Sequence, residues 1–246
     1  MVDFPTTLDE AIAQAQSATQ AALTAGYTRL QVELAIPELK PMQPAYQFLP
    51  VFADYGDGLK IFFTDAGAAA LARRDWGNVS HSIQSIDIAG ARQTSVVEEL
   101  VTPDDQAFLF VAPSSVEVLL VEQICNAAGD RPVVLFNPRL EDVGTVGIGY
   151  TARKLRERFL NTIEPCYFLK LLDGAALLRC YPSTWQVWAG TDENYTLIAE
   201  EPLKPSLERL DEIFMKNSAV QPSRPKSMFA GLERLLKGLS LKALSQ

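Results

Sequence analysis

At 246 residues, with 48% hydrophobic and 21% charged side chains, the chain is long enough for one large core and too apolar to be wholly disordered. Its formal net charge of −8 repels phosphate backbones, which argues against general nucleic-acid binding. The charge is unevenly spread: Pro222 to Gln246 carries Arg224, Lys226, Arg234, Lys237 and Lys242 against Glu233 alone, a surplus of +4 on a remainder of −12.

The first element in the chain is a helix. Thr7-x-x-Glu10 is a capping-box pattern, and Leu8, Ala11, Ile12, Ala15, Ala18, Ala22 and Leu23 keep helical spacing until Gly26. The alanine-rich stripe suits close packing on a sheet. Leu30 to Ile36 alternates as a strand and is closed by Pro37. Pro37 to Pro50 reads as a proline-rich loop leading into a short helix with Ala45, Phe48, Leu49, Phe52 and Ala53, where Pro50 fits only near the first turn. Leu59 to Thr64 is a strand, Asp65 opens an alanine-rich helix ending near Arg74, and Ser82 to Ile88 is a weaker strand expected at a sheet edge.

Ala107 to Val111 is a continuous apolar run, as expected for a strand buried on both faces. Ser114-x-x-Glu117 then predicts the cap of a helix carrying Val116, Leu119, Leu120 and Ile124 and ending at Gly129; Val133 to Phe136 is the next buried strand. Alternating strands and helices of these lengths predict a parallel, doubly wound sheet. A helix with Leu155, Phe159, Leu160 and Ile163 follows Thr151. Beyond it, Tyr167–Leu172, Ala176–Tyr181, Trp185–Trp188 and Tyr195–Ala199 read as a β-meander with a turn at Asp173-Gly174, closed by a helix with Leu207, Leu210, Ile213 and Phe214. The expected fold is therefore α/β: a mostly parallel doubly wound (Rossmann-like) sheet extended by a C-terminal antiparallel β-meander, with an amphipathic C-terminal helix. The predicted organisation is a single α/β domain over residues 1–216, a linker over 217–226 and a basic amphipathic tail helix over 227–246.

His81 is the only histidine, which removes paired-histidine metal sites and most triads with a central histidine. Its place on a peripheral strand favours a structural role, and no metal, cofactor or catalytic residue is predicted. Cys125, Cys166 and Cys180 are odd in number, lack CxxC spacing and lie in apolar patterns, so they read as reduced packing thiols. Residues 2–20 hold no basic n-region or apolar run, and about 18 consecutive apolar residues occur nowhere. The chain is thus expected to stay in the cytoplasm, where it is made.

Two regions are candidate ligand sites. Open α/β sheets bind ligands beyond the carboxyl ends of their strands, and here those ends read Phe63-Thr64-Asp65, Ala112-Pro113-Ser114 and Asn137-Pro138-Arg139. Asp65, Ser114, Asn137 and Arg139 would converge on one crevice; equally, Ser114 caps its helix and Asn137-Pro138 makes a turn. Gly144-Thr-Val-Gly147-Ile-Gly149-Tyr-Thr151-Ala-Arg153 is a glycine-rich loop opening a helix, with Thr151 as N-cap and Arg153 in the first turn, a pattern suited to an anion. The spacing matches neither G-x-G-x-x-G nor a P-loop. In the tail, Met228, Phe229, Leu232, Leu235, Leu236 and Leu239 share one helical face with Arg234 and Lys237 opposite. Such a helix lies in an anionic membrane interface, binds a partner's groove or packs on its own domain.

Several segments carry a resemblance. The opening helix running into Gly26–Ile36 with Pro37-Glu38-Leu39, then Phe62-Phe63-Thr64-Asp65, Ala112-Pro113-Ser114, Arg131-Pro132-Val133-Val134-Leu135-Phe136-Asn137-Pro138-Arg139-Leu140, Arg179-Cys180-Tyr181-Pro182 and Trp185-Gln186-Val187-Trp188 together resemble a domain-of-unknown-function family (number 1995) of cyanobacteria and chloroplasts. The resemblance covers most of residues 5–215. The family's plant members include a low-photosystem-II-accumulation assembly protein and a domain fused behind a chloroplast adenylate kinase. The resemblance therefore implies a role in photosynthetic complex biogenesis, with a photosystem II subunit or assembly factor as partner and possible contact with the thylakoid surface. It supplies no catalytic residues, and the tail lies outside it. The leading expectation is a non-catalytic auxiliary factor; the alternative is a nucleotide- or phosphate-binding protein or enzyme using residues 144–156.

Overall fold

A computed structural model describes residues 3–77, 79–86, 93–141, 150–191 and 194–217. The predicted linker and tail, apart from Asn217, and the three loop glycines lie outside them. Nine strands form one hydrogen-bonded order, β3-β2-β4-β5-β1-β6-β7-β8-β9. These are β1 (Arg29–Ala35), β2 (Leu59–Phe63), β3 (Ser82–Ser85), β4 (Ala107–Val111), β5 (Val133–Phe136), β6 (Glu164–Leu172), β7 (Ala175–Cys180), β8 (Trp185–Thr191) and β9 (Asn194–Glu201). Strands β1 to β5 pair in parallel, and β6 to β9 form the antiparallel meander. The expected fold class is the one observed. The chain gathers into two compact units, Ala22–Val32 with Lys40–Pro165, and residues up to Ala21 with Glu33–Leu39 and from Cys166 onward.

The unit spanning Lys40–Pro165 has helices on both sheet faces. Register places Phe63, Val111 and Phe136 in one row and Phe62, Phe110 and Leu135 in the next, and side chains of successive strand residues point to opposite faces. Phe48 of α2 (Met42–Phe48) packs on Phe136 with ring centroids 5.2 Å apart. Trp76, the C-cap of α3 (Ala66–Asp75), packs on Phe63 at 5.5 Å. The opposite face holds Phe62, Phe108, Phe110, Val133 and Leu135 under α4 (Gln93–Leu100), α5 (Val118–Ala128) and α6 (Tyr150–Arg158). The helix expected across Pro50 breaks in two: α2 ends at Phe48 and a 3-10 stretch, Leu49–Gly58, takes Pro50 in its first turn, because proline has no N–H for an α-helical ladder. Strand β3 lies at the sheet edge, as expected, and ends at Ser85.

The second unit builds its core from the meander. Helix α1 (Leu8–Thr24) starts with the predicted capping box: Glu10 N–H donates to Thr7 Oγ1 (3.1 Å), and Glu10 Oε2 accepts from the backbone N–H groups of Thr6 and Thr7. Its stripe of Leu8, Ala11, Ile12, Ala15 and Ala18 is buried. On the sheet face bearing Phe168, Leu177, Trp185 and Val187, helix α7 (Leu207–Lys216) contributes Leu210 and Ile213. Leu207, expected in the core, is exposed instead, because Ser206 caps the helix and turns Leu207 outward. Gly190, near the end of β8, is required because a Cβ there would run into the Asn194 carbonyl oxygen of β9.

Candidate functional site

The three strand ends singled out by the sequence lie side by side, because β2, β4 and β5 are neighbours in the sheet. After β2 the chain moves outward to β3; after β4 it moves the other way, to β5. Strands β2 and β4 are adjacent, so Asp65 and Ser114 follow the two strands that flank a topological switch point. The hydrogen bonds continue past the strands: Ala112 N–H donates to Phe136 O (2.8 Å), Asn137 N–H to Val32 O (2.7 Å) and Arg139 N–H to Pro113 O (2.7 Å). Ser114 and Arg139 form a parallel bridge. Ala112 (φ 52°) and Asn137 (φ 50°) both turn left-handed at equivalent points. Asparagine tolerates this conformation; in alanine it costs about 1 kcal/mol.

Asp65 caps α3, its Oδ1 accepting from Ala68 N–H at 2.8 Å. Gly67 leaves room for that carboxylate, since a Cβ would approach Asp65 Oδ1 to 3.0 Å. Ser114 does not cap α5 as expected. The capping-box contacts form inside a turn: Glu117 Oε2 accepts from Ser114 N–H (2.9 Å) and hydroxyl (2.6 Å), and Ser114 Oγ accepts from Val116 N–H (3.2 Å). The helix then starts at Val118 with Glu117 as its N-cap. The buried residues of the helix are Val118, Leu120, Val121, Ile124, Cys125 and Ala128, so Leu120 and Ile124 lie inside as expected, whereas Val116 (66%) and Leu119 (51%) are exposed.

Thr151 is the second residue of α6, not its N-cap, because Tyr150 is already helical. Tyr150 is 70% exposed, and Lys154 Nζ sits 4.5 Å from its ring centroid. Arg156 pairs with Glu141 at 3.1 Å, and Arg158 makes a two-pronged contact with Glu122 at 2.7 and 2.8 Å. Arg139 and Arg153 are exposed and join no ion pair among the described residues. The carboxyl rim thus carries Asp65, Ser114, Asn137 and Arg139 beside the start of α5; α6, which holds Thr151 and Arg153, is tied to the chain after Arg139 through Arg156 and Glu141. Gly144, Gly147 and Gly149 lie outside the described residues, as do Met228, Phe229, Leu232, Arg234, Leu235, Leu236, Lys237 and Leu239.

Sequence reasoning missed a polar cluster before the amino ends of the same strands. Lys60, only 3% exposed, donates from Nζ to Asp105 Oδ2 (2.7 Å) and Leu100 O (3.1 Å). Asp105 Oδ2 also accepts from Thr102 N–H (2.6 Å). Arg131 donates to the carbonyls of Ala127, Ala128, Thr102 and Asp105 and lies 5.1 Å from the Phe108 ring centroid. A shallow depression of about 400 Å3 borders it, lined partly by Val97, Val101 and Pro103. The signal was a lysine in the otherwise apolar strand Leu-Lys-Ile-Phe-Phe.

The remaining reactive side chains have structural partners or are buried. His81 Nδ1 is 2.8 Å from Gly56 O, so that nitrogen donates. None of the three cysteines is in a disulfide, and all are buried. Burial pushes the Cys125 thiol up to about 12 and that of Cys180 to about 11, away from thiolate chemistry. Among the described residues no group of three or more His, Cys, Asp or Glu side chains could hold a metal, and no helix is long and apolar enough to cross a membrane.

These features define an open, doubly wound α/β protein with a rim of turns and helix starts at its switch point. Residues 5–212 match the family described as a domain of unknown function, DUF1995, and the chain belongs to that family.

Proposed function

We propose that this chain is a non-catalytic auxiliary factor in the assembly or maintenance of photosystem II, binding a subunit of that complex at the cytoplasmic face of the thylakoid membrane. The make-up of the carboxyl rim carries the reading. Asp65 already places a carboxylate on the first turn of α3, the position a bound anion would otherwise use, and Glu117 turns a second carboxylate back onto Ser114 just before α5. Beside them the rim offers exposed Val116, Leu119 and Tyr150 with Arg139, Arg153 and Lys154. Exposed aliphatic and aromatic groups flanked by arginine suit a macromolecular surface better than a small ligand. The resemblance to a cyanobacterial and chloroplast family supplies the setting, and the basic apolar tail supplies a second contact. The test is flotation of the full chain with thylakoid membranes. The wild type co-migrates with membranes or photosystem II subunits; a chain that stays with the soluble fraction and captures none of those subunits contradicts the proposal.

A second reading is favoured by the switch point between β2 and β4, the place where open sheets take ligands. In it, a nucleotide or phosphate-bearing ligand binds across the rim with the help of residues 144–156. A thermal-shift screen with nucleotides and sugar phosphates tests it: a true ligand raises the midpoint by mass action, and Arg153→Ala removes the rise. A flat screen rejects it.

A further inference from the structure

Strand β8 offers a different set of side chains to each face of the meander. Trp185 and Val187 join the core under α7, so Gln186 and Trp188, which alternate with them, point to the opposite side. Phe4 lies on that side, its ring 5.5 Å from that of Trp188 and stacked on Tyr195 at 4.0 Å. Gln186 is 1% exposed and Trp188 7%. Each keeps one buried polar atom without a hydrogen-bond partner among the described residues: Oε1 of Gln186 and Nε1 of Trp188. Turning the amide round would not satisfy the first. Gln186 Nε2 donates to Glu200 Oε1 at 3.2 Å across the β8–β9 pair, and a carboxylate bonds only the nitrogen end of an amide, so Oε1 is held away from Glu200. One unmet acceptor and one unmet donor therefore share a face of one strand, two residues apart.

We propose that Gln186 and Trp188 form a buried site for one small neutral hydroxyl group, with Phe4 as its lid. Stoichiometry selects the ligand. An indole N–H only donates and an amide oxygen only accepts, so the occupant must accept from one and donate to the other. An ammonium brings no acceptor, and a carboxylate brings no donor. Either charge would also go uncompensated at this depth, which disfavours it further. A hydroxyl meets both needs with one oxygen: it accepts from Trp188 Nε1–H and gives its own proton to Gln186 Oε1. The spacing suits so small a group. Residues two apart on a strand are separated by about 6.8 Å, and two hydrogen bonds of about 2.9 Å meeting at one oxygen span nearly that distance. Phe4 is half-buried and precedes α1, so it can swing aside without breaking the helix. Water and a small alcohol present the same hydroxyl, and both are candidates for this site.

A double-mutant cycle in the full chain tests the site. With a bridging hydroxyl in place, Gln186→Leu or Trp188→Phe strands the other group, and each raises the unfolding equilibrium constant roughly fivefold or more. The double variant then recovers much of that loss, because both polar groups are gone together. Single substitutions that stabilise the protein, or effects that simply add, overturn the proposal: they are what two solitary unmet groups would give. The Trp188 indole N–H resonance of the wild type supplies a reading that needs no variant. A cross-peak from that proton to a long-lived water assigns the site to water. A saturable shift on titration with methanol or ethylene glycol, lost in Gln186→Leu, assigns it to an organic hydroxyl. Neither signal in the folded wild type overturns the site. Phe4→Ala speeds solvent exchange of the same N–H roughly tenfold or more, and an unchanged rate removes Phe4 as the lid.

Discussion

The two ends of β2, β4 and β5 have been built on opposite principles. Near their amino ends Lys60, Asp105 and Arg131 satisfy one another and the backbone groups of Leu100, Thr102, Ala127 and Ala128. At their carboxyl ends the backbone turns left-handed at Ala112 and Asn137, and Val116, Leu119, Tyr150, Arg139 and Arg153 face solvent. A buried charge must be matched or it destabilises the fold, so the amino end has no groups to spare for a partner. The carboxyl end holds side chains whose exposure does nothing for the core. One end is closed by its own ion pair and hydrogen bonds; the other leaves apolar and basic side chains exposed.

Substitutions at the closed end have the largest effects. Lys60→Met leaves Asp105 buried without its partner and costs about 3–5 kcal/mol in urea unfolding, and Lys60→Met with Asp105→Leu recovers most of that loss. A single substitution costing under about 1 kcal/mol would show that the amino end is solvated. Arg131→Met strips donors from four carbonyls and costs about 2–3 kcal/mol by the same measurement. The α1 cap, remote from the comparison, sets an intermediate scale: Thr7→Ala lowers stability by about 1 kcal/mol. Hydrogen bonds from the Thr6 backbone, then its hydroxyl, hold the Glu10 carboxyl below its ordinary value. Its contribution is therefore present above the unfolded-state value and fades as pH falls through the folded one, a dependence that Glu10→Gln removes from the acid side of the stability profile.

At the open end, stability barely responds. Val116→Ser with Leu119→Ser shifts the unfolding free energy by about 0.5 kcal/mol or less, as exposed positions do. Ala112→Gly relieves a left-handed alanine and raises stability by less than about 1 kcal/mol. A loss of several kcal/mol from either change would place these residues in the core and erase the contrast.

Much of this fold was legible because periodicity and caps are local. Thr7 and Glu10 marked the start of α1, the alternation of Leu30 to Ile36 marked β1, and the unbroken apolar runs of β4 and β5 announced strands covered on both faces. Strand order is not local, so the sequence could name the three carboxyl ends without showing that β2 and β4 flank a switch point. Ser114 to Glu117 misled for a physical reason: serine and glutamate three apart make the same contacts in a tight turn as at a helix start, and only the turn leaves Val116 and Leu119 outside. The Lys60–Asp105 pair escaped notice because its residues are 45 positions apart and a lone lysine in a strand says nothing about its counter-ion.

The most direct measurement of the central claim is binding of the full chain to isolated photosystem II subunits and thylakoid membranes, with and without Leu119→Asp and Tyr150→Asp together. The recognition reading predicts a loss of roughly tenfold or more in affinity with an unchanged urea midpoint. Undiminished binding by the folded double variant would contradict it.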